Sequence, residues 1–342
     1  EFRRVLFRSV AIGYDGRLSS PELAQAAAEG LLVSGLEAVR VGLGPTPMLY
    51  YAARELQLDA GLMITGSHNP SEYNGFKMMI GKASFWGKDI QELGRVAAAG
   101  AYATGTGRIS DRDVLDDYVA RLLKDYRPGR DLKVVWDAGN GAAGQAMVKL
   151  VAKLPGRHIL LNEAIDGTFP AHHPDPTVAK NLVQLQERVR AERADLGIAF
   201  DGDGDRIGVV DGEARILWGD QILALLASEV LAERPGATII ADVKASQVLF
   251  DEVARMGGKP LMWKTGHSII KTKMAETGSP LAGEMSGHIF FADRWYGFDD
   301  ALYAAVRLLS IVARAKESLA QDRKSTRLNS SHTDISRMPS SA

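Results

Sequence analysis

Three carboxylates alternate with two glycines in Asp201-Gly202-Asp203-Gly204-Asp205, and Arg206 follows at once. Acids packed this closely repel one another, and a fold tolerates the repulsion where a cation sits among them. Carboxylate oxygens are hard donors and suit Mg²⁺ or Ca²⁺ better than zinc. The glycines free the backbone to curl, so that the three side chains converge. An EF-hand loop opens with similarly spaced acids but needs glycine sixth and glutamate twelfth. Here those positions hold Arg206 and Gly212, and the flanks read as strands rather than helices. A solvated acidic turn is the plain alternative, yet a turn has little need of three acids and an arginine. The expectation is a metal loop whose Arg206 meets an anionic ligand.

Thr65-Gly66-Ser67-His68-Asn69-Pro70 is the second stretch with reactive groups. A serine esterase would place glycine two residues after its nucleophile, and Asn69 stands there instead. His68, next in sequence, is expected to be poorly placed to deprotonate its neighbour. An ordinary turn serine is the bland reading. Ten residues on, Lys77 falls at the start of a returning strand. A lone lysine is normally a solvated charge; beside a phosphorylated serine it would neutralise charge or move a proton. Gly283-Glu284-Met285-Ser286-Gly287-His288 sets donors and acceptors around two glycines, an adaptable loop suited to sugar hydroxyls. Lys264-Thr265-Gly266-His267-Ser268 adds cationic and hydroxyl groups. His172-His173 lies in a proline-rich segment where adjacent side chains point apart, so a rigid loop is expected there rather than a metal site.

These stretches must be carried by something regular. Val10 to Gly13 reads as a strand, Asp15-Gly16-Arg17 as a tight turn, and Ser20-Pro21-Glu22 as a helix start with Ser20 as N-cap. Lys133 to Trp136 runs into Asp137 and a helix from about Ala143, and Thr238 to Ala241 runs into Asp242 and a helix through Val253. Three times an apolar strand ends in an Asp-bearing turn and opens a helix, the form of βα units with functional loops at strand C-termini. The fold class expected is α/β, with three tandem related domains of mixed sheet flanked by helices. Linker-like Pro-Gly pairs at Pro128-Gly129 and Pro235-Gly236 place the domains at 10–130, 131–234 and 235–320. Residues 1–9 read as an atypical segment. Residues 321–342, rich in Ser, Thr and Arg, read as a disordered and non-native tail.

Composition excludes several functions. The 342 residues are 46% hydrophobic and 24% charged, with a net charge of −1. That balance points to neither nucleic acid nor an anionic membrane as partner. With no cysteine at all, disulfides, thiolate nucleophiles and Cys-ligated zinc are impossible, and a cytoplasmic setting is expected. No apolar run approaches the roughly 18 residues of a membrane helix. No obligate protein partner is indicated.

Taken in order, Thr65 to Pro70, Asp201 to Arg206 and Gly283 to His288 resemble the signature stretches of the α-D-phosphohexomutases, in particular the bacterial phosphomannomutase/phosphoglucomutase branch. The resemblance covers about Val10 to Leu319. It implies a mutase that interconverts hexose 6-phosphate and hexose 1-phosphate through a phosphoserine and a hexose 1,6-bisphosphate. Ser67 would be the phosphoserine, supported by His68. Asp201, Asp203 and Asp205 would hold Mg²⁺, with an oxygen on Ser67 completing the shell. Lys77 and His288 would be the general acid/base pair. Glu284 and Ser286 would grip sugar hydroxyls, and Arg206, Lys244 and His267 would line the substrate cleft. Met285 favours mannose or glucose over the glucosamine branch, which usually carries Gln there.

The family also implies four domains around one cleft. Neither its N-terminal Tyr-Asp-Ile-Arg-Gly type segment nor its C-terminal Arg-Ser-Gly-Thr type phosphate clamp is found here. The expectation is a chain lacking the C-terminal phosphate-binding domain and impaired in turnover. The alternative of a different class is a catalytically inactive, Mg²⁺-dependent sugar-phosphate-binding fragment.

Overall fold

The central strand of each sheet splits its side chains between two helical layers, and that alternation fixes the architecture. The computed structural model describes residues 8–81, 83–100 and 102–321. The first unit runs β1 (Ser9–Tyr14), α1 (Ser20–Val33), β2 (Glu37–Leu43), α2 (Thr46–Glu55), β3 (Ala60–Ile64), β4 (Phe76–Ile80), β5 (Ala83–Phe85), α3 (Lys88–Ala99) and β6 (Arg108–Asp111). After α4 (Leu115–Leu123), the second unit has β7 (Lys133–Asp137), α5 (Gly144–Val151), β8 (Arg157–Leu161), α6 (Val183–Glu192), β9 (Leu196–Phe200), β10 (Ile207–Asp211) and β11 (Ile216–Leu217). Helix α7 (Gly219–Glu233) leads to the third, with β12 (Thr238–Asp242), α8 (Gln247–Arg255), β13 (Lys259–Trp263), α9 (His267–Thr277), β14 (Leu281–Gly283) and β15 (Ile289–Phe291). Helix α10 (Ala301–Arg314) follows.

The strand orders are β5-β4-β3-β1-β2-β6, β11-β10-β9-β7-β8 and β13-β12-β14-β15. One wiring underlies all three. The opening strand (β1, β7, β12) pairs in parallel with the second and the third strands, and the third pairs antiparallel with the fourth. The three mixed sheets expected from the repeated βα pattern are therefore present. More telling, the stretches Thr65 to Pro70, Asp201 to Arg206 and Glu284 to His288 occupy one topological position, the turn between third and fourth strand.

Period-2 alternation gives each sheet two apolar faces. Ile12, Val135 and Ile240 face α1, α6 and α9 in three separate clusters. Their neighbours Ala11, Val134, Trp136, Ile239 and Ala241 face a single shared core with α2, α5, α8 and α10. Helix α10 is buried along nearly its whole length. Its Arg307, with no exposed surface, is neutralised by Glu229 at 2.9 Å and Asp293 at 2.9 Å. The shared core presses the three sheets together so that their third-to-fourth turns converge.

The boundaries carry detail the sequence did not. Helix α4 precedes the expected first linker yet packs on α5, and α7 precedes the second yet packs on α8. Ser20 is not an N-cap: Ser19 holds that position, and the Ser20 hydroxyl donates instead to Asp15 Oδ1 at 2.6 Å. The Ser20 oxygen in turn accepts from Asn74 Nδ2 at 2.8 Å, so it is not free to cap the helix amides. Ser9 already belongs to β1, with its amide on Asp59 Oδ2. The expectations for residues 1–7 and 322–342 lie outside the described residues.

Candidate active site

The first turn begins where β3 ends. Thr65 and Gly66 donate to Asp15 Oδ2, at 2.8 and 3.1 Å, fixing the strand exit against the turn after β1. Arg17, 1% exposed, does the rest. Its Nε pairs with Asp15 at 3.1 Å while its terminal nitrogens donate to the carbonyls of Ser67, Asn69, Pro70 and Tyr73. A planar five-donor fork suits this task as no other side chain does. The turn so held places Ser67 at φ +48°, a left-handed conformation that a non-glycine residue adopts only where its surroundings enforce it. The consequence corrects the expectation for His68. Ser67 Oγ lies 3.3 Å from His68 Nδ1, within hydrogen-bond reach.

The second turn, between β9 and β10, is clamped from both sides. Asp201 Oδ1 accepts the amides of Asp205 and Arg206, both at 3.1 Å, which curls the loop inward. From the first unit, Thr46 at the start of α2 donates its amide to the Asp203 carbonyl at 2.8 Å and its hydroxyl to the Asp203 carboxylate. From the other side, the Ala301 amide of α10 reaches the Gly204 carbonyl at 3.3 Å. Both glycines are required. Gly204 has φ +74°, and a Cβ on Gly202 would stand 2.3 Å from the Ser67 carbonyl. That close approach brings Ser67 Oγ to 3.1 Å from Asp201 Oδ2.

Asp201, Asp203 and Asp205 are all without exposed surface, and one oxygen from each lies within 4.8 Å of the others. Burial pushes Asp201 well above the usual carboxylate range, reinforced by the charges of Asp205 and Asp203. Asp203 Oδ1 is buried with no hydrogen-bond partner, and Asp205 Oδ1 has only the long 3.3 Å approach of His288 Nε2. Unpartnered carboxylate oxygens in a dry site are costly unless a cation takes them, so the triad fits a hard divalent metal ion. The other oxygens are taken by Lys77 of β4, whose Nζ sits 2.7 Å from Asp203 Oδ2 and 2.5 Å from Asp205 Oδ2. Burial works against the Lys77 charge, but these two carboxylates prevail and hold its pKa well above the usual lysine range.

The third turn brings His288, 5% exposed. Its Nδ1 lies 2.8 Å from Glu284 Oε2 and 3.0 Å from Ser286 Oγ; its Nε2 lies 3.3 Å from Asp205 Oδ1 and from Arg206 Nε. Burial would neutralise this ring, yet Asp205 and Glu284 raise its pKa to about 9. A doubly protonated ring only donates, so the carboxylate contacts are the ones that count. Asp205, His288 and Asp299 also converge; a metal there would need His288 as the neutral ring. Glu284 Oε1 accepts the Gly266 amide at 2.5 Å, and Asp242 accepts Thr265 Oγ1 at 2.9 Å and the Met285 amide at 3.1 Å. These bonds knit the 264–268 and 283–288 stretches together.

His267, opening α9, stacks on His288 with ring centroids 5.7 Å apart. Burial, with the Lys271 charge, depresses it to about 4. Arg206 lies 3.9 Å from Asp201 and shares a backbone bridge with His288. Lys244, exposed in the turn after β12, contributes its charge to Asp242 and, among the described residues, makes no hydrogen bond or ion pair with the rest of the group. The structure thus gathers Ser67, His68, Lys77, the three aspartates, Arg206, Glu284, Ser286, His267 and His288, and leaves Lys244 at the margin. Sequence reasoning missed Arg17, Thr46 and Asp299. The fully buried Asp299 lies 3.0 Å from Lys271 and 3.6 Å from His267. The Asp-Gly-Arg turn was the one signal for Arg17. His172, read as part of a rigid loop, has Nε2 2.8 Å from Asp137 Oδ2 and Nδ1 3.0 Å from the His173 carbonyl.

Comparison with known proteins agrees with this geometry. Residues 6–100, 116–214 and 218–327 match, in turn, the alpha/beta/alpha domains I, II and III described for phosphoglucomutase/phosphomannomutase. A Pseudomonas aeruginosa protein named phosphomannomutase/phosphoglucomutase is 48% identical over 305 residues, 89% of this chain and 66% of its own length. A Neisseria meningitidis phosphoglucomutase is 44% identical over 329 residues, covering 96% of this chain and 70% of that protein. A Burkholderia thailandensis crystal structure of a phosphoglucomutase/phosphomannomutase family protein superposes with TM-score 0.89 at 48% identity, over 92% of this chain and 70% of that one. The chain spans about two thirds of the length of the curated relatives it matches. By sequence and by fold, the chain belongs to the phosphoglucomutase/phosphomannomutase family.

Proposed function

We propose that this chain carries the phosphoryl-transfer machinery of a phosphohexomutase acting on mannose or glucose phosphates. The observation that supports it best is the meeting of a strained Ser67 with a buried, partner-poor aspartate triad, Oγ to Asp201 Oδ2 being 3.1 Å. In the first half-reaction the bond from phosphorus to Ser67 Oγ breaks and one from phosphorus to a sugar hydroxyl oxygen forms. The hydroxyl proton is taken up by a base in the cleft and Ser67 Oγ is reprotonated, leaving a hexose 1,6-bisphosphate. After that intermediate turns over, the second phosphate returns to Ser67 by the reverse exchange.

His288, held protonated by Asp205 and Glu284, is the acid of this scheme. Lys77 is also charged in the arrangement seen. It becomes a proton acceptor when Asp203 and Asp205 are engaged elsewhere, because burial alone favours the neutral amine. Asp201, Asp203 and Asp205 would hold Mg²⁺, which would supply charge neutralisation and polarisation of the transferred group. His68 steadies the serine. Glu284 and Ser286 take sugar hydroxyls, and Arg206, His267 and Lys244 face the substrate's charge. The cytoplasm is the proposed setting; among the described residues no helix is long and apolar enough to cross a membrane.

Intact-mass measurement tests this directly. Incubation with Mg²⁺ and glucose 1,6-bisphosphate is expected to add one phosphate on Ser67, absent from Ser67→Ala, and mannose 1-phosphate is expected to remove it. A folded chain that acquires no phosphate overturns the proposal.

A further inference from the structure

Behind the cleft, where the first and third units meet, lies a cavity of about 380 Å³. Helix α2 supplies Tyr50 and Arg54, β4 supplies Met79, and α9 supplies Lys271. Tyr296 and Phe298, from the segment before α10, close it. The floor is aromatic: Tyr50 meets Phe298 edge-on at 5.4 Å, and Tyr296 stacks on Phe298 at 5.7 Å. The charges are one-sided. No carboxylate lines the cavity, while Arg54 and Lys271 both do.

Arg54 is the unusual member. Among the described residues it makes no ion pair. Its Nε is buried without a partner, and one terminal nitrogen makes only a long 3.4 Å contact with the Tyr296 carbonyl. A half-buried guanidinium with idle donors is expensive unless an acceptor completes it. Lys271 spends one of its donors on Asp299, at 3.0 Å, and lies 4.9 Å above the Tyr50 ring. Among the described residues its remaining donors make no other hydrogen bond.

We propose that this cavity is a second ligand site, distinct from the Ser67 cleft, for a small organic anion. The ligand would have a compact aromatic or apolar body and one phosphate or carboxylate group. The body lies on Tyr50, Tyr296 and Phe298, and the anionic group takes up the free donors of Arg54 and Lys271. Its volume falls within the range of small-molecule pockets. The inference is independent of the mutase reading, since neither Ser67 nor the aspartate triad lines the cavity.

Phenyl phosphate, benzoate and neutral benzyl alcohol serve as probes, with binding followed by ligand-observed NMR on the whole chain without Mg²⁺. Saturable binding of either anion supports the site if it weakens at least tenfold in both Arg54→Met and Ala275→Trp and survives in Arg206→Ala. Ala275 lies on the exposed side of α9 at the cavity wall, so the tryptophan blocks the cavity without disturbing the core, and it decides the matter should Arg54→Met fail to fold. The better-bound anion identifies the preferred head group. No binding by either anion, equal binding of benzyl alcohol, unchanged affinity in Ala275→Trp, or loss in Arg206→Ala (binding in the cleft) overturns it.

Discussion

The first and third units build the same turn and hold it differently. In both, the aspartate that ends the opening strand accepts hydrogen bonds from the turn between third and fourth strand: Asp15 from Thr65 and Gly66, Asp242 from Met285. Asp15 is joined by a buried arginine that ties down four further carbonyls. Asp242 has no such cation, and burial raises its carboxyl above the ordinary range. The second unit departs again. Asp137 is given over to His172, and its turn is held from outside by Thr46 and α10. One topology therefore gives a serine turn held by a buried arginine, a third-unit turn held without one, and an acidic turn held both by its own Asp201 and by its neighbours.

The comparison can be broken most severely in the first unit. Arg17→Ala leaves Asp15 buried and unpaired, and a loss of about 3–5 kcal/mol in urea denaturation is expected; Arg17→Lys recovers little, lacking the fork. An equal loss for Asp242→Ala would mean that the two turns are held alike after all. Next in size is Asp300, the N-cap of α10, which accepts Tyr303 N and Tyr118 Oη. Burial without a cation lifts it to about 7. With its folded pKa above the unfolded value, its stabilising contribution is complete below about pH 4 and is lost as pH rises through 7. Asp300→Asn is expected to flatten the fall in melting stability between about pH 4 and 7, by up to roughly 4 kcal/mol. An unchanged pH slope would show that Asp300 titrates normally.

Asp242 sharpens the comparison at smaller scale. Asp242→Ala should cost about 1–3 kcal/mol by orphaning two donors, whereas Asp242→Asn retains an acceptor and should cost less than about 1 kcal/mol. Finally, burial lowers the His172 pKa, but Asp137 more than compensates and raises it. Its pairing therefore stabilises below the unfolded histidine value and fades as pH rises through the folded one. His172→Gln is expected to cost less than about 1 kcal/mol at pH 5.5 and nothing measurable at pH 9.

What the chain reveals before folding follows the same division. The aspartate triad was legible because its spacing is local: acids and glycines within one turn announce their own geometry. The βα repeat was legible because apolar alternation is local too. Arg17's hold on the serine turn was not, because the four carbonyls it ties down lie 50 to 56 residues away and carry no residue signature. Thr46 was not legible either, because its partner Asp203 lies 157 residues away. Ser20 was misassigned for the opposite reason, since a plausible local role was taken over by Asp15.

The hydrogen bond from the Thr46 amide to the Asp203 carbonyl also makes the molecule its own gauge. That proton can trade with deuterium only when the first and second units part at the cleft. Its exchange rate, followed in an unlabelled chain by peptide mass, would report how often the serine turn and the acidic turn lose sight of each other.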